Sequence, residues 1–164
     1  MPKIPLPSFE IIQIAQNYLD AALVLEQSRS GPGALGPASM LAAFSMELFL
    51  KAFHARDASI PLQGFGSVEM FCGALKSAHG HDLLKLYDSL PAEFLKAIND
   101  ASEELSPGFG LREKIERYKN HFVGIRYEYE PGAIGIIRSE MFDVAEHLGK
   151  ICEALAPRAY GLER

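Results

Sequence analysis

Residues 134–155, IGIIRSEMFDVAEHLGKICEAL, place Ile134, Ile137, Met141, Val144, Leu148, Ile151 and Leu155 at alternating three- and four-residue steps, ending ahead of Pro157. That spacing puts seven apolar side chains on one stripe of an α-helix. Such a stripe requires neighbouring helices to cover it.

Working back from this helix, the same periodicity recurs. Behind Ser8, an N-cap residue type, Ile11, Ala15, Tyr18, Ala22 and Leu25 fall on one face, and Glu10, Gln13, Asn17 and Asp20 on another. This first helix runs to about Ser28, where the Gly- and Pro-rich stretch 31–37 breaks it. Pro37 suits the first turn of a second, nearly all-apolar helix reaching about Arg56. Ala58 to Gly66 reads as a loop, and Ser67 as the cap of a short helix through Ser77. Short helices follow over 81–90 and 91–105, and Leu111 to about Arg126 forms one amphipathic helix with Leu111, Ile115, Tyr118, Phe122 and Ile125 inward. No alternating run is long enough for a β-sheet. The expected fold is therefore all-α, an antiparallel bundle of five to six helices in a single domain over 1–164, with 1–7 as a flexible leading segment.

Composition narrows the function classes. The chain has 164 residues, 48% hydrophobic and 23% charged, with a net charge of −5. That balance is globular, and it argues against holding nucleic acid by bulk electrostatics. Cys72 and Cys152 are too few for a disulfide framework or a zinc site and read as free thiols packed as small hydrophobes, which fits a cytoplasmic protein. The N-terminus has no apolar stretch of signal-peptide length. In the most apolar segment, Pro37–Phe53, Glu47 and Lys51 would be costly in lipid, so no membrane partner is expected.

The candidate chemistry is sparse. Gly31, Gly33 and Gly36 spell G-x-G-x-x-G, but this follows a helix rather than the β-strand a dinucleotide site needs. The five histidines make no di-iron or zinc pattern, so no metal or other cofactor is expected. His79-Gly80-His81-Asp82 reads first as a helix start with a capping side chain. Glu47 and Lys51, one turn apart among Phe44, Leu48, Phe49 and Phe53, form an ion pair that partial burial would turn into a site or a structural network. Between Arg112 and Arg126 five Lys or Arg residues face two Glu, a local charge of +3. Arg117 and His121 lie one turn apart there, and Arg126 leads into Tyr127-Glu128-Tyr129-Glu130, so cations and aromatic rings meet in one stretch. That combination suits phosphate and base contacts.

Met46-Glu47-Leu48-Phe49-Leu50-Lys51-Ala52, Gly80-His81-Asp82-Leu83-Leu84 with Leu86 and the Leu90-Pro91 stop, and Arg126-Tyr127-Glu128-Tyr129-Glu130 stand in an order and spacing that resemble the HEPN superfamily. The resemblance covers about Tyr18 to Leu155. It implies a helical bundle, a homodimer, and a prokaryotic toxin-antitoxin or defence setting, with a nucleotidyltransferase-like or other antitoxin partner. Many members are metal-independent ribonucleases, whose active site is an Arg followed after a short interval by His. Arg126 stands where that Arg would be, but Tyr127 to Gly132 contain no histidine, and only three residues separate Arg117 from His121. The favoured expectation is a non-catalytic module binding RNA, a nucleotide or a protein through Glu47, Lys51, Arg126 and Tyr127. The alternatives are a divergent ribonuclease using Arg117, His121 and Arg126, and a purely structural dimerisation subunit.

Overall fold

The computed structural model describes residues 6–28, 31–65, 68–127, 129–132 and 139–159; at 32, 61–65, 68–71 and 157–159 only the backbone is described. Helices dominate: α1 (Phe9–Glu26), α2 (Leu35–Ala52), α3 (Leu83–Asp88), α4 (Ala92–Leu105), α5 (Leu111–Tyr118), α6 (His121–Arg126) and α7 (Glu140–Ala159). The all-α bundle expected from the stripes is what forms. Among the described residues no helix is long and apolar enough to cross a membrane.

The centre of the bundle is α2. Its alanines and serines, Ala38, Ser39, Ala42, Ala43 and Ser45, are fully buried, so neighbouring helices approach its backbone closely. The two serine hydroxyls are both engaged: Ser45 Oγ donates to the Ala42 carbonyl one turn back at 2.7 Å, and Ser39 Oγ meets Met141 Sδ of α7 at 3.5 Å. α1 lies along α2, with Ser8 capping α1 while its own amide donates to the Ala52 carbonyl at the far end of α2 (2.9 Å). α7 packs on α1, α2, α4 and α5. Its stripe residues Met141, Val144, Leu148, Ile151 and Leu155 are buried within the chain; Ile134 and Ile137 lie outside the described residues. The helix continues two residues past Pro157, since a missing amide in a last turn removes only one bond.

Three expectations require correction. The segment expected as a loop and a short helix contains two antiparallel ribbons instead, β1 (Arg56–Asp57) with β4 (Leu75–Lys76) and β2 (Ile60–Phe65) with β3 (Val68–Cys72). The strand residues Ile60, Phe65, Val68, Phe71 and Cys72 favour a pleated backbone, and Gly66-Ser67 between them is a two-residue hairpin signal that outweighs Ser67 as a cap. Residues 66–67 themselves lie outside the described residues.

The basic helix, expected unbroken from Leu111 to Arg126, divides at Lys119-Asn120, and Asn120 leaves helical geometry with φ −110° and ψ 11°. The break frees the Lys119 carbonyl to accept the Leu83 amide at 3.0 Å, which fastens the start of α3 to the start of α6. Ahead of α5, Gly110 takes φ +67°, a conformation that favours glycine.

The two cysteines differ. Cys152 is a core thiol whose pKa burial pushes well up, whereas Cys72, at the end of β3, is exposed rather than packed inside.

Candidate functional site

The start of α3 is held by two anchors, and immediately ahead of them His81 is set against α2. Asp82 is the N-cap of α3, its Oδ1 accepting the Lys85 amide at 3.0 Å, as the residue types anticipated. The Leu83 amide supplies the second anchor on Lys119. With the backbone fixed just after it, His81 Nδ1 reaches Glu47 and lies 3.1 Å from Oε1 and 2.9 Å from Oε2.

Glu47 is the most deeply placed acid of the described residues, 1% exposed in the middle of α2. A buried carboxylate persists as an ion only with partners. Lys51 Nζ donates to its Oε1 at 2.7 Å from one turn later, and His81 supplies the second donor. The Lys51 side chain is 16% exposed and that of His81 46%. Because Nδ1 carries the proton that faces the carboxylate, Nε2 is the ring nitrogen left as an acceptor in the neutral imidazole. A carboxylate behind a half-exposed imidazole fixes both tautomer and orientation.

Aromatic packing extends this cluster. The His81 ring is 5.4 Å from that of Phe122, which stacks on Phe44 (5.1 Å, 20° between planes), and Phe44 in turn meets Tyr18 edge-on at 4.8 Å. On α6, the Arg126 guanidinium lies 5.3 Å from the Phe122 ring centroid and 5.4 Å from that of Tyr127. Tyr127 meets Tyr129 at 6.3 Å, and Tyr129 is 78% exposed. His81, Phe122, Arg126, Tyr127 and Tyr129 thus form a chain of ring and cation contacts from the buried acid to the surface.

The residues singled out from sequence separate into three places. Glu47 and Lys51 pair as expected, but the group completing their cluster is His81; Arg126 is exposed, without a carboxylate within ion-pair distance among the described residues, and reaches the cluster only through Phe122. An arginine on an aromatic face needs no buried counter-ion, which is why it does not seek Glu47. Arg117 is drawn to the other side of α5, where Glu140 receives Arg117, the Tyr118 hydroxyl at 2.8 Å and Lys114 at 3.1 Å. These three donors hold the Glu140 carboxyl down to about 2. Arg112 pairs with both oxygens of Asp88. The basic stretch is therefore largely neutralised by contacts, leaving Lys119 and Arg126.

His121 is 6% exposed, its ring edge-on to Tyr118 at 5.3 Å, with no hydrogen-bond partner for Nε2 among the described residues. Burial holds its pKa below the ordinary imidazole value. Arg117, His121 and Arg126 consequently do not converge on one point of the surface.

Sequence reasoning passed over one further pair. His147 of α7 lies inside, with Nε2 2.8 Å from the Ser102 hydroxyl of α4 and its ring stacked on Phe109 at 3.8 Å. Burial first, then the charges of Lys150 and Lys114, lower its pKa. Only its position on the buried face of α7, two residues from Ala145 and one from Leu148, could have marked it. No three His, Cys, Asp or Glu side chains converge as metal ligands among the described residues.

Comparison with family models, with curated proteins and with solved structures gives no match for this chain.

Proposed function

We propose that this chain is a HEPN-like helical module that binds single-stranded RNA without cleaving it, in a toxin-antitoxin or defence setting. The observation that carries the reading is Arg126: an exposed guanidinium, unneutralised by any described carboxylate, laid against Phe122 and Tyr127 with Tyr129 exposed beside it. A cation that meets a phosphate next to rings that accept a base is the combination used for single strands. Glu47 and Lys51 serve behind this surface by holding His81 in place.

The test is fluorescence anisotropy with a labelled single-stranded RNA. Arg126→Ala is expected to weaken binding about tenfold, and binding should fall only gently with salt, as one or two phosphate contacts give. Affinity unchanged by Arg126→Ala would refute the reading.

A second reading, a metal-independent ribonuclease, is favoured by one observation: the Nε2 face of His81 is outward with Glu47 behind it, an arrangement suited to general acid-base work. It replaces the Arg117 and His121 assignment with His81 and Arg126. Cleavage in excess chelator that His81→Ala abolishes and His121→Ala preserves would favour it over the binding module.

The HEPN-like reading includes a homodimer. The seam of α7 is spent on the chain's own helices, and the apolar stripe left open to a second copy is Ile14, Ala21 and Val24 on α1. Light scattering that gives a single-chain mass at micromolar concentration would count against it.

A further inference from the structure

Most Lys and Arg side chains of the described residues meet a carboxylate within 4.0 Å, but Arg56, Lys76, Lys119 and Arg126 do not. Arg126 belongs to the surface above, and Lys119 stands at the junction of α5 and α6. The first two stand opposite each other: Arg56 and Lys76 are register partners in the antiparallel pair β1 and β4, so their side chains leave the same face of the ribbon. Like charges so placed repel, and in a chain with more acids than bases an unshared pair of cations is an unusual arrangement.

Beside this pair lies an open cleft of about 230 Å³, lined by His54, Arg56, Ser77, Ala78 and His79. Its lining contains an arginine, two imidazoles and a hydroxyl, and no carboxylate. Two of these groups are fixed: His54 Nε2 is 2.8 Å from the Leu86 carbonyl and therefore carries its proton there, and Ser77 Oγ donates to the Lys51 carbonyl at 2.6 Å. Asp57, the acid adjacent to Arg56, is engaged by the Ser59 amide at 2.8 Å.

We infer that this cleft is an anion site that takes a phosphoryl group, with Arg56 as its main cation, His79 at its wall and Lys76 across the ribbon. An anion seated there relieves the repulsion between Arg56 and Lys76 and takes its donors from Arg56 and His79, since His54 and Ser77 have given their protons to backbone carbonyls. The site shares no residue with the Arg126 surface, and its success or failure is independent of the RNA reading.

The experiment is a titration of the full-length chain with inorganic phosphate at constant ionic strength, read by amide shifts in heteronuclear NMR. Saturable shifts at Arg56, Ser77, Ala78 and His79 are expected, weakened about tenfold by Arg56→Glu and left unchanged by Arg126→Ala. Both positions are exposed, so neither variant threatens the fold. Shifts that fail to saturate at roughly 10 mM phosphate, or that Arg56→Glu leaves intact, would overturn the site. A second arm compares one RNA oligomer bearing a 5′-phosphate or a 5′-hydroxyl. A gain for the phosphorylated form that Arg56→Glu erases assigns the site to an RNA end, and no gain alongside saturable phosphate binding assigns it to a small phosphorylated molecule.

Discussion

Nδ1 of His81 lies 2.9 Å from Oε2 of Glu47, joining a carboxylate shut inside α2 to an imidazole half in solvent. The contact spans a helix centre and a loop, and it converts a buried charge into a fixed surface acceptor.

Removing that carboxylate strands two donors. Glu47→Ala is expected to destabilise the chain by about 3 kcal/mol, the low end for breaking a buried pair, because Lys51 and His81 retain access to water. Glu47→Gln, which keeps the shape and one acceptor, should lose less. Urea unfolding followed by circular dichroism distinguishes the two, and equal stability of Glu47→Ala and wild type would dismiss the network as ornamental.

Glu140 governs the acid limb of stability. Its folded pKa is depressed to about 2 by Arg117, Tyr118 and Lys114, so its contribution is present above the ordinary carboxylate range and disappears as pH falls towards 2. The side chain is partly open to solvent, which screens the effect. Glu140→Gln should flatten the stability-pH curve in that window and leave its neutral limb nearly parallel to that of wild type; an unaltered acid limb would contradict the assignment.

His121 also loses stability as pH falls, but here protonation charges a buried group, and the residue is a liability. Its folded pKa is lowered by burial, so stability is full above the ordinary imidazole value and is lost as pH falls below it, when the unfolded chain takes up the proton more readily. His121→Phe removes the unpartnered Nε2 and keeps a ring against Tyr118. The expected gain is about 1 kcal/mol at neutral pH, with a shallower decline below pH 6.5. His147 is depressed in the same direction, so some decline persists in the single variant.

Gly149 is a point of close approach of α7 to α1 and α2. A Cβ there would stand 3.2 Å from Phe49 Cζ, 3.3 Å from Gln16 Oε1 and 3.4 Å from Leu19 Cδ2. Gln16 can swing aside, but Phe49 is fully buried. Overpacking of about 1–3 kcal/mol should exceed the helix-propensity gain of about 1 kcal/mol for Gly149→Ala, giving a net loss in thermal denaturation. Adding Phe49→Leu should recover part of it.

Periodicity identified α1 and α7, although on α1 the covered residues are Ile12, Ala15, Leu19 and Ala22, with Ile11, Tyr18 and Leu25 of the expected stripe only partly buried. By contrast, α2 was read from its nearly unbroken apolar run and α4 from the Pro91 start. The ribbons escaped because β1 and β4 are two residues each, too short to alternate, and because β2 contains Pro61 and Gly64. The division between α5 and α6 was equally hidden: nothing local marks Lys119 as the acceptor for an amide at Leu83. At the candidate site Glu47 and Lys51 were legible as a helical pair, whereas His81 was not, since its contact depends on where a loop is pinned. Arg126 was expected to serve one site with Glu47 and Lys51, and nothing in the sequence signalled that Phe122 would seat its guanidinium instead.

The placement of α7 against α1, α2, α4 and α5 also bears on how the chain comes off the ribosome. The helix that shields those four is the last of the described elements to be synthesised, at about 5–20 residues per second, and until it emerges the apolar flanks of α1 and α2 have nothing to close them. The nascent chain thus passes through an interval in which α1 and α2 are paired but uncovered on their α7 side. Chaperone capture and premature aggregation compete for it there, so slowing translation ahead of α7 would lower the soluble yield even though the finished protein is identical.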